Sequence, residues 1–502
     1  MTALALPQVR SRPRAARAAA LLLVAIAGLA IRIWIDRSAV GVPDSDEAVV
    51  GLMVRHALHG HLDTFYWGQG YGGTQEILLT VPLFAVFGAS YTALRAVPIA
   101  LNALAAVLVW RVGRRTVGEP AATLAAVLMW LWFPDNLVLV TRQLGFYGSN
   151  LVYGSLLLLL VLRVVERPTT LRAALLGLTL GLAFWQTLQI VPLAVPALGW
   201  LVWKEPRALR QAWAAAAGAV VGALPWLVWN IRHDWGSLLP RADAHQYGHS
   251  LRLFASPLLP MTLGLRTPVT GALVVPSKLL VTGVYLALLA LCGYGVVTSR
   301  RRSTALLYAV VLLFPFVWAI SRRVTFLSAT PRFLIVLTPV IALLVAQLGR
   351  SVAKAVVVVA LAVAVSIVSV HRMDVDARTV DPDGVEKAPR DLHGLIGTLD
   401  RARIDYVYAD YWIAYRLAFD SHERIVGSEL GPQGVSVRNG AVVRPAGTAP
   451  RYPPYARRVA ANRHAFVYFR RSSSLPFPTE LVAAGYHRVV TGPFAVYLPA
   501  GT

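Results

Sequence analysis

Residues 18–61 read AAALLLVAIAGLAIRIWIDRSAVGVPDSDEAVVGLMVRHALHGH. An apolar run from Ala18 to Ile35 is followed by three carboxylates in four residues, Asp44, Asp46 and Glu47. Crossing the hydrocarbon core of a bilayer takes roughly 20 apolar residues. A short basic segment with Arg10, Arg12, Arg14 and Arg17 precedes the run, and no small-residue cleavage site follows it. The stretch therefore predicts a first membrane helix with a cytoplasmic N-terminus, not a removable signal.

The rest of the chain agrees. Of its 502 residues, 56% are hydrophobic and 15% charged, with a mean hydropathy of +0.58. Soluble chains carry about 25% charged residues, so a soluble globular enzyme, a disordered chain and a disulfide scaffold are all excluded. Cys292 stands alone and has no internal partner. The net charge of +23 is almost wholly arginine, the only lysines being Lys204, Lys278, Lys354 and Lys387. In such a chain basicity reads as loop charge that orients spans, before it reads as a nucleic-acid footprint.

Ten further apolar runs lie at about 93–112, 119–134, 150–165, 171–187, 188–203, 211–230, 278–298, 304–320, 332–349 and 353–370. Basic clusters alternate between them: Arg114 and Arg115; Arg163, Arg167 and Arg172; Lys204, Arg207 and Arg210; Arg300 to Arg302; Arg350 and Lys354. Placing all of these inside predicts about eleven transmembrane helices with the C-terminus outside. The segment 74–88, TQEILLTVPLFAVFG, is too short for a span and predicts a helix at the outer interface. After 371 the chain turns polar. Helix-like 391–403, 411–419 and 480–484 alternate with strand-like 406–410, 424–428, 465–469 and 487–492, and 430–456 is a Gly- and Pro-rich loop. The predicted fold class is a polytopic α-helical membrane protein (1–371, with outer loop 36–92) bearing a C-terminal extracytoplasmic α/β domain (372–502).

The outer loop carries the chemistry. Asp44, Asp46 and Glu47 repel one another. That repulsion can raise a pKa or hold a divalent cation, and one carboxylate can cap the following helix. FYWGQGYGGTQE (65–76) sets rings beside amides, as a polyhydroxylated ligand requires, with Gln69, Tyr71, Gln75 and Glu76 as the sugar- or acceptor-binding candidates. An interfacial aromatic belt explains the rings but not the amides. His56, His59 and His61 lack metal-ligand spacing. Arg142 in VTRQLGFYG (140–148), near Asp135, and Arg322, Arg323 and Arg332 in SRRVTFLSATPRFL (321–334) sit on the outer side, against the orientation rule. A ligand phosphate offsets that, because guanidinium binds phosphate through paired hydrogen bonds. No nucleotide-binding or nucleophile-elbow motif occurs, so a donor used outside the membrane must be lipid-carried.

Four features together resemble the GT-C membrane glycosyltransferases, in particular the family-39-like group of protein mannosyltransferases and the lipid A aminoarabinose transferase. They are Asp46-Glu47 after the first span, a juxtamembrane helix ending FGAS (87–90) before ALR (93–95), Gly-Arg-Arg (113–115), and Arg-Phe-Leu (332–334). The mannosyltransferase His-Pro-Pro-Leu motif is missing, GGTQE (72–76) standing there instead. The resemblance implies Asp46 as the catalytic base, assisted by Asp44 and Glu47, and Arg332 on the donor phosphate, where charge placement adds Arg142 and Arg322 as candidates. It implies a multi-pass protein of the plasma membrane that takes a polyprenyl-phosphate sugar, a hexose or pentose, to a cell-envelope glycan, lipid or protein. No cofactor beyond a divalent cation is implied. The rival classes are a lipid-linked sugar flippase and a non-catalytic glycan receptor.

Overall fold

A computed structural model describes residues 12–238, 247–268, 270–298, 302–320, 330–349, 351–379, 389–430, 436–438, 441–443, 450–469 and 479–501. The first helices are α1 (Arg12–Arg37), α2 (Ser45–Leu58), α3 (Gln75–Phe87), α4 (Tyr91–Thr116), α5 (Glu119–Leu131), α6 (Pro134–Leu139) and α7 (Tyr147–Glu166). Then come α8 (Thr170–Gln186), α9 (Val191–Lys204), α10 (Ala212–Gly222), α11 (Leu224–Arg232), α12 (Tyr247–Leu253), α13 (Leu259–Thr262), α14 (Lys278–Thr298) and α15 (Ala305–Trp318). A 3-10 segment Arg332–Leu337 leads into α16 (Thr338–Val345), and α17 (Val352–Thr379) follows.

Every predicted apolar run is helical, but the count of eleven spans is not reproduced. Among the described residues four helices have the length and composition to cross a membrane: Ala18–Arg37, Tyr91–Thr116, Tyr147–Glu166 and Val352–Arg378. The segments Pro206–Gly222 and Leu224–Arg232 make a fifth if their 62° bend is taken as one broken span. Others, such as Glu119–Leu131 and Ala305–Trp318, are shorter. Proline explains two of the breaks. Pro225 opens α11 at the 62° bend. Pro134 disfavours a helical Phe133, which takes φ 67° and ends the run begun by α5.

Two tight contacts hold the helical part together. Arg32 of α1 is 2% exposed. It donates to Asn102 Oδ1 of α4 at 2.5 Å and lies 3.7 Å above the Trp130 ring of α5. Its charge thus faces the bundle interior, as a cation in a membrane helix must. Helices α8 and α10 meet on glycines four residues apart. A β-carbon on Gly177 or Gly181 would lie 1.8 or 2.1 Å from the Ala215 or Ala219 carbonyl oxygen, and Gly218 and Gly222 approach α8 as closely. Small residues at this spacing let backbones touch, which is how helices associate without a hydrophobic driving force.

The C-terminal part is an α/β unit, with α18 (His393–Arg401), α19 (Tyr411–Asp420), α20 (Pro453–Ala461) and α21 (Thr479–Ala483). Its strands are β1 (Tyr406–Ala409), β2 (Val426–Glu429), β3 (Ser436–Arg438), β4 (Ala441–Val443), β5 (Ala465–Phe469), β6 (His487–Thr491) and β7 (Phe494–Leu498). The main sheet runs β2-β1-β5-β7-β6, with β1 parallel to β2 and β5 and the other pairs antiparallel. The anticipated alternation of strands and helices is there. The segment 430–456 is not all loop, since β3, β4 and the start of α20 fall within it.

This unit is docked on the membrane part through α19 and α2. Gly51 makes room for the Phe419 ring, which a β-carbon would meet at 2.4 Å. Trp67 stacks on Tyr452 at 3.9 Å, and the Tyr91 hydroxyl donates to Asp420 at 2.9 Å. His56 Nε2 lies 2.9 Å from Glu423, and His59 bonds its own helix at Arg55. Two of the three loop histidines are therefore occupied in docking or local structure.

Candidate active site

Asp44, Asp46 and Glu47 sit at the N-terminus of α2, where the helix dipole favours negative charge. Their side chains diverge. Asp44 caps the helix, accepting from the Glu47 amide at 3.1 Å, and pairs with Arg142 Nη2 at 2.5 Å. Glu47 is fully buried. It accepts from Arg95 Nε at 2.7 Å and Nη2 at 2.5 Å, and from the Gln143 amide at 3.1 Å. Arg95 also pairs with Asp36. Asp46 is the open one, with 34% of its side chain exposed. The Tyr411 hydroxyl donates to its Oδ1, and Arg451 Nη2 lies 3.0 Å from the same oxygen.

Each carboxylate thus has its own arginine, which removes the repulsion that adjacency suggests. The donor set does not fit a divalent cation. Among the described residues no three His, Cys, Asp or Glu side chains converge as a metal site. Asp44 and Glu47, anticipated to assist Asp46, are placed as a helix cap and a buried ion-pair partner.

Arg332 begins the 3-10 turn ahead of α16 and hydrogen-bonds the Tyr147 hydroxyl. Asp46 and Tyr71 act on it electrostatically. Its buried Nε has no hydrogen-bond partner, which is an unspent donor in the region where a phosphate was anticipated. Asp135 lies within its field. Burial pushes the Asp135 carboxyl up to about 7, against the pull of Arg332. Arg142, anticipated on the donor phosphate, ion-pairs with Asp44 through Nη2, and its buried Nε has no hydrogen-bond partner. Arg322 and Arg323 lie outside the described residues.

The aromatic loop divides. Tyr71 is exposed and Gln69 half-buried, so both stay at the rim. Gln75 donates to the Leu182 carbonyl at 2.9 Å and accepts from Tyr153. Glu76 is fully buried, its Oε1 accepting from the Ser149 amide at 2.8 Å and hydroxyl at 2.7 Å. These two hold α3 against α7 and α8 and do not form an open sugar face. Burial pushes the Glu76 carboxyl up to about 7, over the opposing Ser149 bonds.

Three functional candidates were missed: Tyr147, Tyr411 and Arg451. Tyr147 lies in the same 140–148 stretch as Arg142, and its signal was present. Arg451 sits in TAPRYPPY (448–455), which composition marks only as a loop.

A sequence family described as dolichyl-phosphate-mannose-protein mannosyltransferase matches residues 79–229. The fold superposes on ArnT from Cupriavidus metallidurans bound to undecaprenyl phosphate with a TM-score of 0.60 and 14% identity, covering 95% of this chain and 97% of that one. The apo form gives 0.59 and 15%, covering 96% and 98%. The chain has the GT-C fold. The oligosaccharyltransferase of Archaeoglobus fulgidus matches at 0.51 and 13%, covering 95% of this chain and 72% of that one. No curated protein sequence matches significantly. Asp46 of α2 thus meets Tyr411 and Arg451 of the C-terminal unit and lies within the field of Arg332.

Proposed function

We propose that the chain is a membrane glycosyltransferase that moves a sugar from a polyprenyl-phosphate donor to an extracytoplasmic acceptor of the cell envelope. One observation carries the reading. A half-open carboxylate, Asp46, and an arginine with an unspent buried donor, Arg332, lie within each other's field. The two charges suit the two ends of a glycosyl transfer. Asp46 takes the proton of the attacking acceptor hydroxyl. The acceptor oxygen bonds the anomeric carbon, the bond from that carbon to the phosphate oxygen breaks, and its electron pair leaves with the phosphate. Arg332 and the Tyr147 hydroxyl stabilise the charge that grows there. A single displacement of this kind inverts the anomeric carbon.

The remaining assignments follow from that chemistry. Tyr71 and Gln69 at the rim meet the sugar or the acceptor. The N-terminus lies in the cytoplasm, with residues 1–371 as the membrane-embedded catalytic part of a plasma-membrane protein. Residues 372–502 lie outside, over the site. The family description of the matched segment and the undecaprenyl phosphate in ArnT favour a lipid-phosphate donor.

The test is transfer from a radiolabelled panel of polyprenyl-phosphate sugars by purified protein, with a cell-envelope extract as acceptor. Asp46→Asn is expected to lower transfer about 10²- to 10⁴-fold while still binding polyprenyl phosphate. Arg332→Met is expected to weaken that binding. Movement of the lipid without transfer, equal in wild type and Asp46→Asn, would sink the reading and favour a flippase.

A further inference from the structure

Asp46 is gripped by the C-terminal unit. Arg451 Nη2 lies 3.0 Å from Asp46 Oδ1, and the Tyr411 hydroxyl donates to the same oxygen. The grip is itself built in. Ser45, the neighbour of Asp46, donates from its hydroxyl to the Tyr411 carbonyl at 2.5 Å. The Arg451 amide donates to Glu429 Oε1 of β2 at 3.1 Å. Its guanidinium stands 4.9 Å from the Tyr411 ring centre. Gly68 of the aromatic loop packs on its backbone so closely that a β-carbon there would meet Arg451 Cα at 2.7 Å.

We propose that Arg451 and Tyr411 are positioning residues of the active centre, through which the C-terminal unit orients Asp46. The inference rests on the transferase reading above. Both contacts fall on Oδ1, so Oδ2 is the oxygen that takes the acceptor's proton. Burial and the nearby Asp46 charge hold the Tyr411 hydroxyl well above its usual value, so it stays a donor. The other charged groups about Asp46 are Arg332, and Asp44 and Glu47 on its own helix, with Tyr71 beside both arginines. Asp44 and Glu47 are each neutralised by another arginine. Among the described residues, Arg451 is therefore the cation in direct contact with this carboxylate.

The experiment measures transfer kinetics for the full chain in nanodiscs, as wild type, Arg451→Gln, Arg451→Lys and Tyr411→Phe, with binding of undecaprenyl phosphate measured in parallel. Arg451→Gln is expected to lower kcat about tenfold while undecaprenyl phosphate affinity stays within about twofold, because donor binding is assigned to Arg332. Arg451→Lys keeps a cation against Oδ1 and should recover most of the rate. Tyr411→Phe keeps the ring and its packing, and should lower kcat by less. An unchanged kcat in both Arg451→Gln and Tyr411→Phe overturns the proposal. So does an equal loss of kcat in Arg451→Gln and Arg451→Lys. Wild-type protein that transfers no sugar, with Asp46→Asn indistinguishable from it, overturns the transferase reading and this inference with it.

Discussion

Replacing Arg95 by leucine strips a fully buried carboxylate of its main partner. Glu47 would lose contacts at 2.7 and 2.5 Å and keep the Gln143 amide at 3.1 Å and Arg142 at 3.6 Å. Removing one member of a buried pair costs about 3–5 kcal/mol, since the charge left behind has no water to turn to. Unfolding entropy near 2.1 cal/mol/K per residue gives the 502-residue chain roughly 1 kcal/mol per degree if it melts as one unit. The expected loss is therefore about 4 °C. The assay is thermal unfolding in detergent followed by tryptophan fluorescence. The double variant Arg95→Leu with Glu47→Gln should recover part of that loss, because no unpaired charge remains buried, and Asp36, with 45% of its side chain exposed, can rehydrate. A single-variant loss under about 1 °C would refute the reasoning. A double variant that loses the sum of the singles would refute it too.

Two more predictions concern stability. The Glu76 carboxyl sits at about 7 in the folded chain against 4.5 unperturbed, so between those values the folded state holds the extra proton. Stability then falls as pH rises through that window, by up to about 3 kcal/mol. Glu76→Gln should flatten this slope, and melting curves between pH 5 and 8 check it; an unchanged slope contradicts the buried placement. Gly181→Ala tests the α8–α10 contact. On an open helix alanine would gain about 1 kcal/mol, but here its β-carbon meets the Ala219 carbonyl at 2.1 Å. A loss of about 1–3 kcal/mol is expected, and a raised melting temperature would show that the helices do not touch there.

Much of the architecture is legible because apolar run length and loop charge are local signals. What local patterns hide is where a run breaks and what a charge pairs with. Pro225 stands in plain view, yet the apolar run 211–230 passes straight through it. The same averaging turned 430–456 into a loop and hid Arg451. The exception to the orientation rule proved more informative. Arg332 is out of place by loop charge alone, and its buried Nε has no protein partner. Arg142 is equally out of place and its Nε is likewise unpartnered, but its Nη2 is ion-paired with Asp44. Charge placement marks both, and only the tertiary partner tells them apart.

The division of labour between Asp46 and Glu47 follows from helix geometry. Successive residues of an α-helix are about 100° apart around the axis. Adjacent carboxylates in the first turn of α2 therefore cannot face the same way. Glu47 points to α4 and is sealed by Arg95, with no exposure. Asp46 points to the C-terminal unit and keeps 34% of its side chain open. A general base must reach its substrate, and a carboxylate with both oxygens on one guanidinium cannot. The pair thus gives one residue that anchors the helix and one that stays open enough for the role proposed for it. Their order along the chain is what turns the acting one toward Tyr411 and Arg451.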